Sequence, residues 1–525
     1  MGSYKDDIIY QIYPRSYADS NGDGIGDLRG IIGKLDYLSE LGITAIWLSP
    51  VFLSPMEDMG YDIASYYHID PIFGSDEDMD ELIAKAREKG LRIILDMVLN
   101  HTSKEHEWFK QARQSKDNPY RDYYIFRDSP NSIGSAFGGS AWEYNEPTND
   151  YYFHLYAPGQ PDLNWDNEAM REDLYKACNY WLDKGVYGFR LDVIENIGKE
   201  VDRGIIQNGP TLHQRLHELN RKTFGRVGGI SIGECWCADA ESRLLYVDPK
   251  REELSMVFLF DDFTQFYSQK YEKWVRREFD ARDLRNAIFK RQLTEKERSW
   301  DALFWNNHDL PRAICRYGEL GDRAKKAKCF FAATLFLRGT PFIYQGDEIG
   351  MVNGHFKSKE DYRDIETLNA FPILREKGLS EKETWDAIAS TSRDTARIPM
   401  RWEDKPGYGF TSATPWLDGG PDRYCVASEE NDPDSILSFY KTAIKLRKSE
   451  KYKETIKEGD FAPILTETDL FAYKRICGGK TLTVIANLTN AKRENAKGEG
   501  ELVLSNYGDE DSEIRPFEVR VYWKE

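Results

Sequence analysis

Gly188-Phe-Arg190-Leu-Asp192-Val193 is the stretch that decides the fold. It closes an apolar run, Val186–Leu191, that reads as a buried strand and delivers a cation and a carboxylate at its end. Runs of the same kind recur between amphipathic stretches: Ile8–Tyr13, Ala45–Leu48 and Leu91–Val98 before it, then Gly229–Gly233, Ser255–Phe260, Ala302–Trp305 and Pro341–Tyr344. Such alternation indicates parallel βα units, and eight runs match the strand number of an α/β fold of the (β/α)8 TIM barrel type. Helical patterns fill the intervals, among them Asp76–Lys89 after Phe73-Gly-Ser75 and Arg171–Lys184 after Asn167.

Two intervals are too long for simple βα loops. The first, about 102 to 167, is rich in Tyr, Trp, Asn, Gly and Pro and reads as an inserted subdomain after strand three. The second, about 351 to 434, overhangs the end of the last strand. Ser435–Ser449 reads as the closing helix, after which short alternating segments (Leu470–Arg475, Thr481–Asn487, Glu518–Trp523) indicate a small antiparallel β-sandwich. The expected division is barrel over 1–101 and 168–450, insertion over 102–167, and C-terminal β domain over 451–525.

The 525 residues are 40% hydrophobic and 30% charged, enough for a sizeable core and unlike a disordered chain. A net charge of −18 opposes docking on nucleic acid or anionic membranes. Aromatic content of 13% suits sugar rings, whose C–H faces stack on flat side chains, and equally suits a large core. Seven scattered cysteines do not form a disulfide framework, and the Cys235-x-Cys237 pair lacks partners for zinc. No apolar leader or membrane-length run occurs. The expectation is a reduced, cytoplasmic protein, monomeric or weakly self-associating.

Active sites of such barrels are built at the C-terminal ends of strands. Strand three ends in Asp96-Met-Val-Leu-Asn100-His101, strand four in Arg190-Leu-Asp192, strand five in Gly233-Glu234, and strand seven in Asn306-Asn307-His308-Asp309. Retaining glycoside hydrolysis needs an ionised carboxylate and a protonated one about 5–5.5 Å apart. Neighbouring strands, about 4.8 Å apart, can place Asp192 and Glu234 so. A lone strand-end Asp is more often a helix cap, and a lone His a satisfied structural residue. Four such segments on one rim favour chemistry modestly.

At these residues the sequence resembles glycoside hydrolase family 13, the α-amylase family, in its oligo-1,6-glucosidase and dextran glucosidase branch. Segments Asp96–Ser103, Gly188–Ile197, Ile232–Trp236 and Asn306–Arg312 look like the family's four regions in order. The resemblance implies Asp192 as nucleophile, Glu234 as general acid/base and Asp309 as transition-state stabiliser. Arg190 would keep Asp192 ionised, and His101 and His308 would bind hydroxyls of the terminal glucose. An Asp58–Arg397 pair would close the pocket for exo-action. Tyr61 would be the stacking platform, and Phe137, Tyr156 and Gln160 a wall from the insertion. Val193, after the nucleophile, goes with α-1,6 preference in this branch, and Trp236 and Lys273 resemble residues that meet the leaving sugar. One methyl group discriminates by only about 1–3 kcal/mol, and plain strand-end packing explains Val193 as well.

Asp19-Ser-Asn21-Gly-Asp23-Gly-Ile25-Gly-Asp27 sets oxygen ligands at alternate positions, which suits a hard cation, while an Asx-rich turn needs none. By resemblance Asp19, Asn21, Asp23, Asp27 and the Ile25 carbonyl would hold a structural Ca²⁺ or Mg²⁺; catalysis would need no cofactor. Pro399-Met400-Arg401-Trp402 departs from the branch's Pro-Met-Gln-Trp. The added cation keeps a trehalose-6-phosphate hydrolase in play beside an α-1,4-glucosidase or sucrose-active enzyme, a transglucosylase, and a non-catalytic partner-binding relative. The leading expectation is an exo-acting retaining α-glucosidase on isomaltooligosaccharides.

Overall fold

The computed structural model describes residues 4–494 and 496–525. Eight parallel strands form one sheet: β1 (Ile9–Ile12), β2 (Ala45–Leu48), β3 (Arg92–Val98), β4 (Gly188–Asp192), β5 (Ile230–Cys235), β6 (Met256–Leu259), β7 (Ala302–Leu303) and β8 (Thr340–Tyr344). Their order is β6-β5-β4-β3-β2-β1-β8-β7, a nearly closed TIM barrel. Side chains span the seam between β6 and β7, where the Phe258 and Phe304 rings lie 4.8 Å apart. Trp47 and Phe342 pack on Phe258 inside the barrel, at 5.5 and 4.8 Å.

Register carries the chemistry to one rim. Asp96 on β3 pairs with Arg190 on β4, which pairs with Ile232 on β5, so Asp192 and Glu234 emerge one step further along adjacent strands. Gly188 permits that pairing, because a Cβ there would meet the Ile230 carbonyl oxygen at 1.9 Å. The helices between strands begin where capping residues occur. Ser75 forms a capping box with Asp78 at the start of Asp76–Glu88, and the Asn167 side chain accepts the Met170 N–H at 2.9 Å to open Glu168–Lys184.

The segment after β3 folds into a helix, Glu107–Ala112, and a three-stranded sheet of Phe126–Arg127, Asp150–Phe153 and Trp142–Asn145. Its small core joins Trp142, Phe153 and Leu155 to Val201 of the loop after β4. The segments after β6 and β8 pack on each other: the hairpin Tyr267–Ser268 with Glu272–Arg276 meets the helices Ile365–Glu376 and Glu381–Thr391 around Trp274, Leu374 and Ile388.

The C-terminal strands β9 (Asp460–Pro463), β10 (Phe471–Cys477), β11 (Lys480–Ala486), β12 (Glu501–Ser505) and β13 (Val519–Lys524) are antiparallel as expected. They form a five-stranded sheet, β9-β10-β11-β13-β12. One face joins the main core, with the Phe289 ring 4.8 Å from Phe471. The other face is covered by residues such as Ile514, which forms an isolated antiparallel bridge with Arg493. Among the described residues, no helix is long and apolar enough to cross a membrane.

Candidate active site

A cavity of about 460 Å³ opens at the C-terminal rim of the barrel. Asp192, Glu234 and Asp309 line it, together with Asp58, Tyr61, His101, Phe137, Tyr156, Val193, Trp236 and Lys273. Thus most of the side chains anticipated from sequence meet in one place. Arg190, His308, Gln160 and Arg397 stand behind this lining, all at most 1% exposed, so His308, anticipated at a sugar hydroxyl, instead lies against Asp309 at 3.2 Å.

Arg190 is the hub of the floor. Its Nη1 lies 2.7 Å from Asp192 and 2.9 Å from Asp96, and its Nη2 lies 2.7 Å from Glu234. Burial pushes the Asp192 carboxyl well above the usual range, against the pull of Arg190, while the Glu234 and Asp96 charges push the same way. Burial likewise takes Asp96 up to about 6. One guanidinium serves three buried carboxyls, so the charges of Asp96 and Asp192 oppose one another. Asp96 also accepts from the Tyr61 hydroxyl at 3.0 Å and the Trp47 indole at 3.1 Å.

Glu234 accepts two further hydrogen bonds, from the Val193 amide at 3.0 Å and the Trp236 indole at 3.0 Å. Val193 makes its bond from a left-handed backbone, φ 36° and ψ 43°, a conformation that a β-branched residue adopts only under strain. Its position is therefore set by more than strand-end packing.

Asp309 sits opposite. Burial raises its carboxyl, but His308, Arg393 and Arg397 outweigh that and hold it well below the usual range. Burial lowers His101 to about 4 and His308 to about 3, so both rings are neutral near pH 7. The Tyr61 and His308 rings stack at 5.3 Å, and the Gln11 amide holds the far side of His308 at 2.8 Å. Phe137 and Tyr156 meet edge to face at 5.5 Å.

The anticipated Asp58–Arg397 pair is corrected. Asp58 pairs with Arg393, at 3.3 Å, whereas Arg397 reaches Asp309 at 2.8 Å. Arg393 also contacts Asp309 at 3.3 Å and Asp364 at 2.5 Å. Burial raises Asp58 to about 7 despite the two arginines. Gln160 is not part of the wall; it bonds Asp58 at 3.1 Å and His101 at 3.2 Å from behind. Arg401 does not reach the cavity either. It is buried over the Tyr408 ring, 3.9 Å away, and donates to the Gly420 carbonyl.

Sequence reading missed Arg393, Asp364, Glu366 and the part played by Asp96. Glu366 lines the cavity and pairs with Lys273 at 2.5 Å, bridging the segments after β6 and β8. The Asn369 amide donates to the Phe137 carbonyl at 3.1 Å across the mouth.

The loop 19–27 lies apart from the cavity lining. Asp19 accepts the N–H groups of Asn21, Gly22 and Gly24 at 3.0, 2.7 and 2.8 Å, Asn21 that of Asp23 and Asp23 that of Ile25. Asp27 caps the helix Leu28–Ile32 through Gly30. Among the described residues no three acidic, imidazole or thiol side chains are gathered as a metal cluster. The loop's donors are nonetheless all hard oxygens, with lone pairs beyond those taken by the amides, so their chemistry fits Ca²⁺ or Mg²⁺.

Residues 11–459 match the model of the alpha amylase catalytic domain. A glucan 1,6-alpha-glucosidase of Streptococcus pneumoniae is 46% identical over 493 residues, covering 93% of this chain and 91% of that one. An oligo-1,6-glucosidase of Bacillus cereus is 42% identical, covering 99% of each. The crystal structure of the trehalose-6-phosphate hydrolase of Bacillus licheniformis superposes with a TM-score of 0.92 at 39% identity, again covering 99% of each chain.

Proposed function

Since the chain belongs to the α-amylase family of glycoside hydrolases, we propose that it is a retaining exo-α-glucosidase releasing glucose from the non-reducing ends of α-1,6-linked isomaltooligosaccharides. The observation that carries this reading is the single guanidinium of Arg190 holding Asp192 and Glu234, each at 2.7 Å, in the floor of the cavity. Asp192 attacks C1 while Glu234 protonates the leaving oxygen; Glu234 then takes a proton from water, which displaces Asp192 and frees α-glucose. Asp309, kept anionic by its arginines, holds hydroxyls of the distorted sugar. Tyr61 is its platform, His101 binds a hydroxyl from the rim, and His308 and Arg397 support Asp309 from behind. Asp58 with Arg393 limits the pocket to one terminal residue, with Phe137 and Tyr156 as its wall.

The α-1,6 preference rests on Val193, Trp236 and Lys273, and on the names of the two relatives above. A phosphorylated substrate is disfavoured by charge. Seven acidic side chains and two cations line the cavity, and both cations, Lys273 and Arg393, are already paired with acids. We also propose a structural Ca²⁺ or Mg²⁺ held by Asp19, Asn21, Asp23, Asp27 and the Ile25 carbonyl; it would fix this loop and takes no part in the reaction.

Initial rates of glucose release from isomaltose, maltose, sucrose, trehalose and trehalose 6-phosphate test the assignment, with Asp192→Asn as the blank. Isomaltose leads if the proposal is right. A lead for maltose or the phosphorylated sugar contradicts the linkage or charge argument, and an active Asp192→Asn contradicts the mechanism.

A further inference from the structure

Glu195 lies three residues beyond Asp192, in the short 3-10 turn Ile194–Asn196, and is 2% exposed at the cavity wall. Its carboxylate accepts two successive backbone N–H groups at the exit of β5: Trp236 on Oε1 at 2.9 Å and Cys237 on Oε2 at 3.1 Å. One N–H on each oxygen fixes the direction of both peptide planes. Its own main chain is tied down, since the Glu195 carbonyl accepts the Asn208 N–H at 2.9 Å. Trp236 is thus held at its backbone by Glu195 and at its ring by Phe260, stacked 3.9 Å away. From that position its indole donates to Glu234 Oε1.

We propose that Glu195 is a positioning residue for the acid/base: by gripping the Trp236 and Cys237 amides it sets the indole N–H against one oxygen of Glu234 and fixes the direction in which Glu234 presents its proton. The inference rests on the reading of Glu234 as the acid/base. Burial pushes the Glu195 carboxyl up to about 7. The ionised form accepts strongly on both oxygens; a proton on either weakens that oxygen as an acceptor and loosens its hold on the facing amide. The ionisable groups around it are Glu234 and the Cys235 thiol from β5, the Cys237 thiol, the Tyr246 phenol from helix Leu244–Val247 and the Tyr156 phenol from the inserted segment. None of these is a cation that would keep Glu195 ionised at low pH.

The test compares Glu195→Gln with the wild type between pH 4.5 and 9, on isomaltose and on 2,4-dinitrophenyl α-glucoside, whose leaving group needs no proton. General acid catalysis is worth about 10²–10⁴-fold, so a displaced acid predicts a loss of about tenfold or more in kcat on isomaltose. The loss is smaller on the aryl substrate, KM changes little, and the acid limb of the pH profile shifts. Trp236→Phe keeps the amide bonds but removes the indole N–H, and predicts the same substrate-selective loss if Glu195→Gln fails to fold. A wild-type kcat and pH profile in Glu195→Gln, or equal losses on both substrates in Trp236→Phe, overturns the proposal. Azide rescue of Glu234→Ala on the aryl substrate separates the two levels. Without rescue the acid/base reading fails and takes this inference with it; with rescue, a silent Glu195→Gln defeats the positioning role alone.

Discussion

The Arg393 guanidinium lies 3.3 Å from the Asp58 carboxylate and simultaneously touches Asp309 and Asp364. Removing this cation takes away the ion-pair partner of Asp58 and leaves Asp309 and Asp364 to share Arg397, and breaking such a buried pair costs about 3–5 kcal/mol. Arg393→Ala is therefore expected to lower Tm and to reduce kcat/KM on isomaltose at least a hundredfold, read by thermal unfolding and initial rates. Wild-type values for both would show that Arg397 alone suffices.

The two arginines show where sequence stopped being informative. The eight barrel strands were legible because each is a short apolar run, and the carboxylates at their ends followed from barrel geometry. Arg393 and Arg397 lie four residues apart in a long irregular segment, where no periodicity states which one turns toward Asp58. Asp96 lay in a quoted motif, but its share in Arg190 depends on strand register. Glu366 meets Lys273 only because the segments after β6 and β8 pack together.

Glu348 offers a pH test outside the cavity. Burial raises its carboxyl to about 7; the Tyr10 and Tyr37 hydroxyls donate to Oε1 at 2.7 and 2.8 Å, and Oε2 is buried without a partner. The folded protein binds this proton more tightly than the unfolded chain, so its stabilising contribution is full below about pH 4.5 and is lost as pH rises through about 7. Glu348→Gln is expected to raise Tm relative to wild type at pH 8 and to change it little at pH 4.5. An equal shift at both values would contradict the assignment.

For the loop 19–27, chelation is expected to lower Tm and added Ca²⁺ or Mg²⁺ to restore it. A ligand at 100 times its Kd stabilises by about 2.7 kcal/mol. Asp23→Ala should abolish the response while leaving kcat unchanged. Identical melting with and without chelator in the wild type would leave the loop as an Asx-turn scaffold that needs no ion.

Val193 lines the cavity and follows the proposed nucleophile. Val193→Thr is expected to move the ratio of kcat/KM for isomaltose over maltose toward maltose by about tenfold or more, within the about 1–3 kcal/mol that one such contact discriminates. An unchanged ratio would shift the source of linkage preference to Trp236 and to the Lys273–Glu366 bridge.

The most direct test of the account follows the anomeric protons by NMR while the enzyme cleaves isomaltose. Two displacements at C1 by Asp192 and then water predict α-glucose as the first product, converting to the β form only by slow mutarotation, with no product from Asp192→Asn. β-Glucose appearing first would contradict the pairing of Asp192 and Glu234 as nucleophile and acid/base.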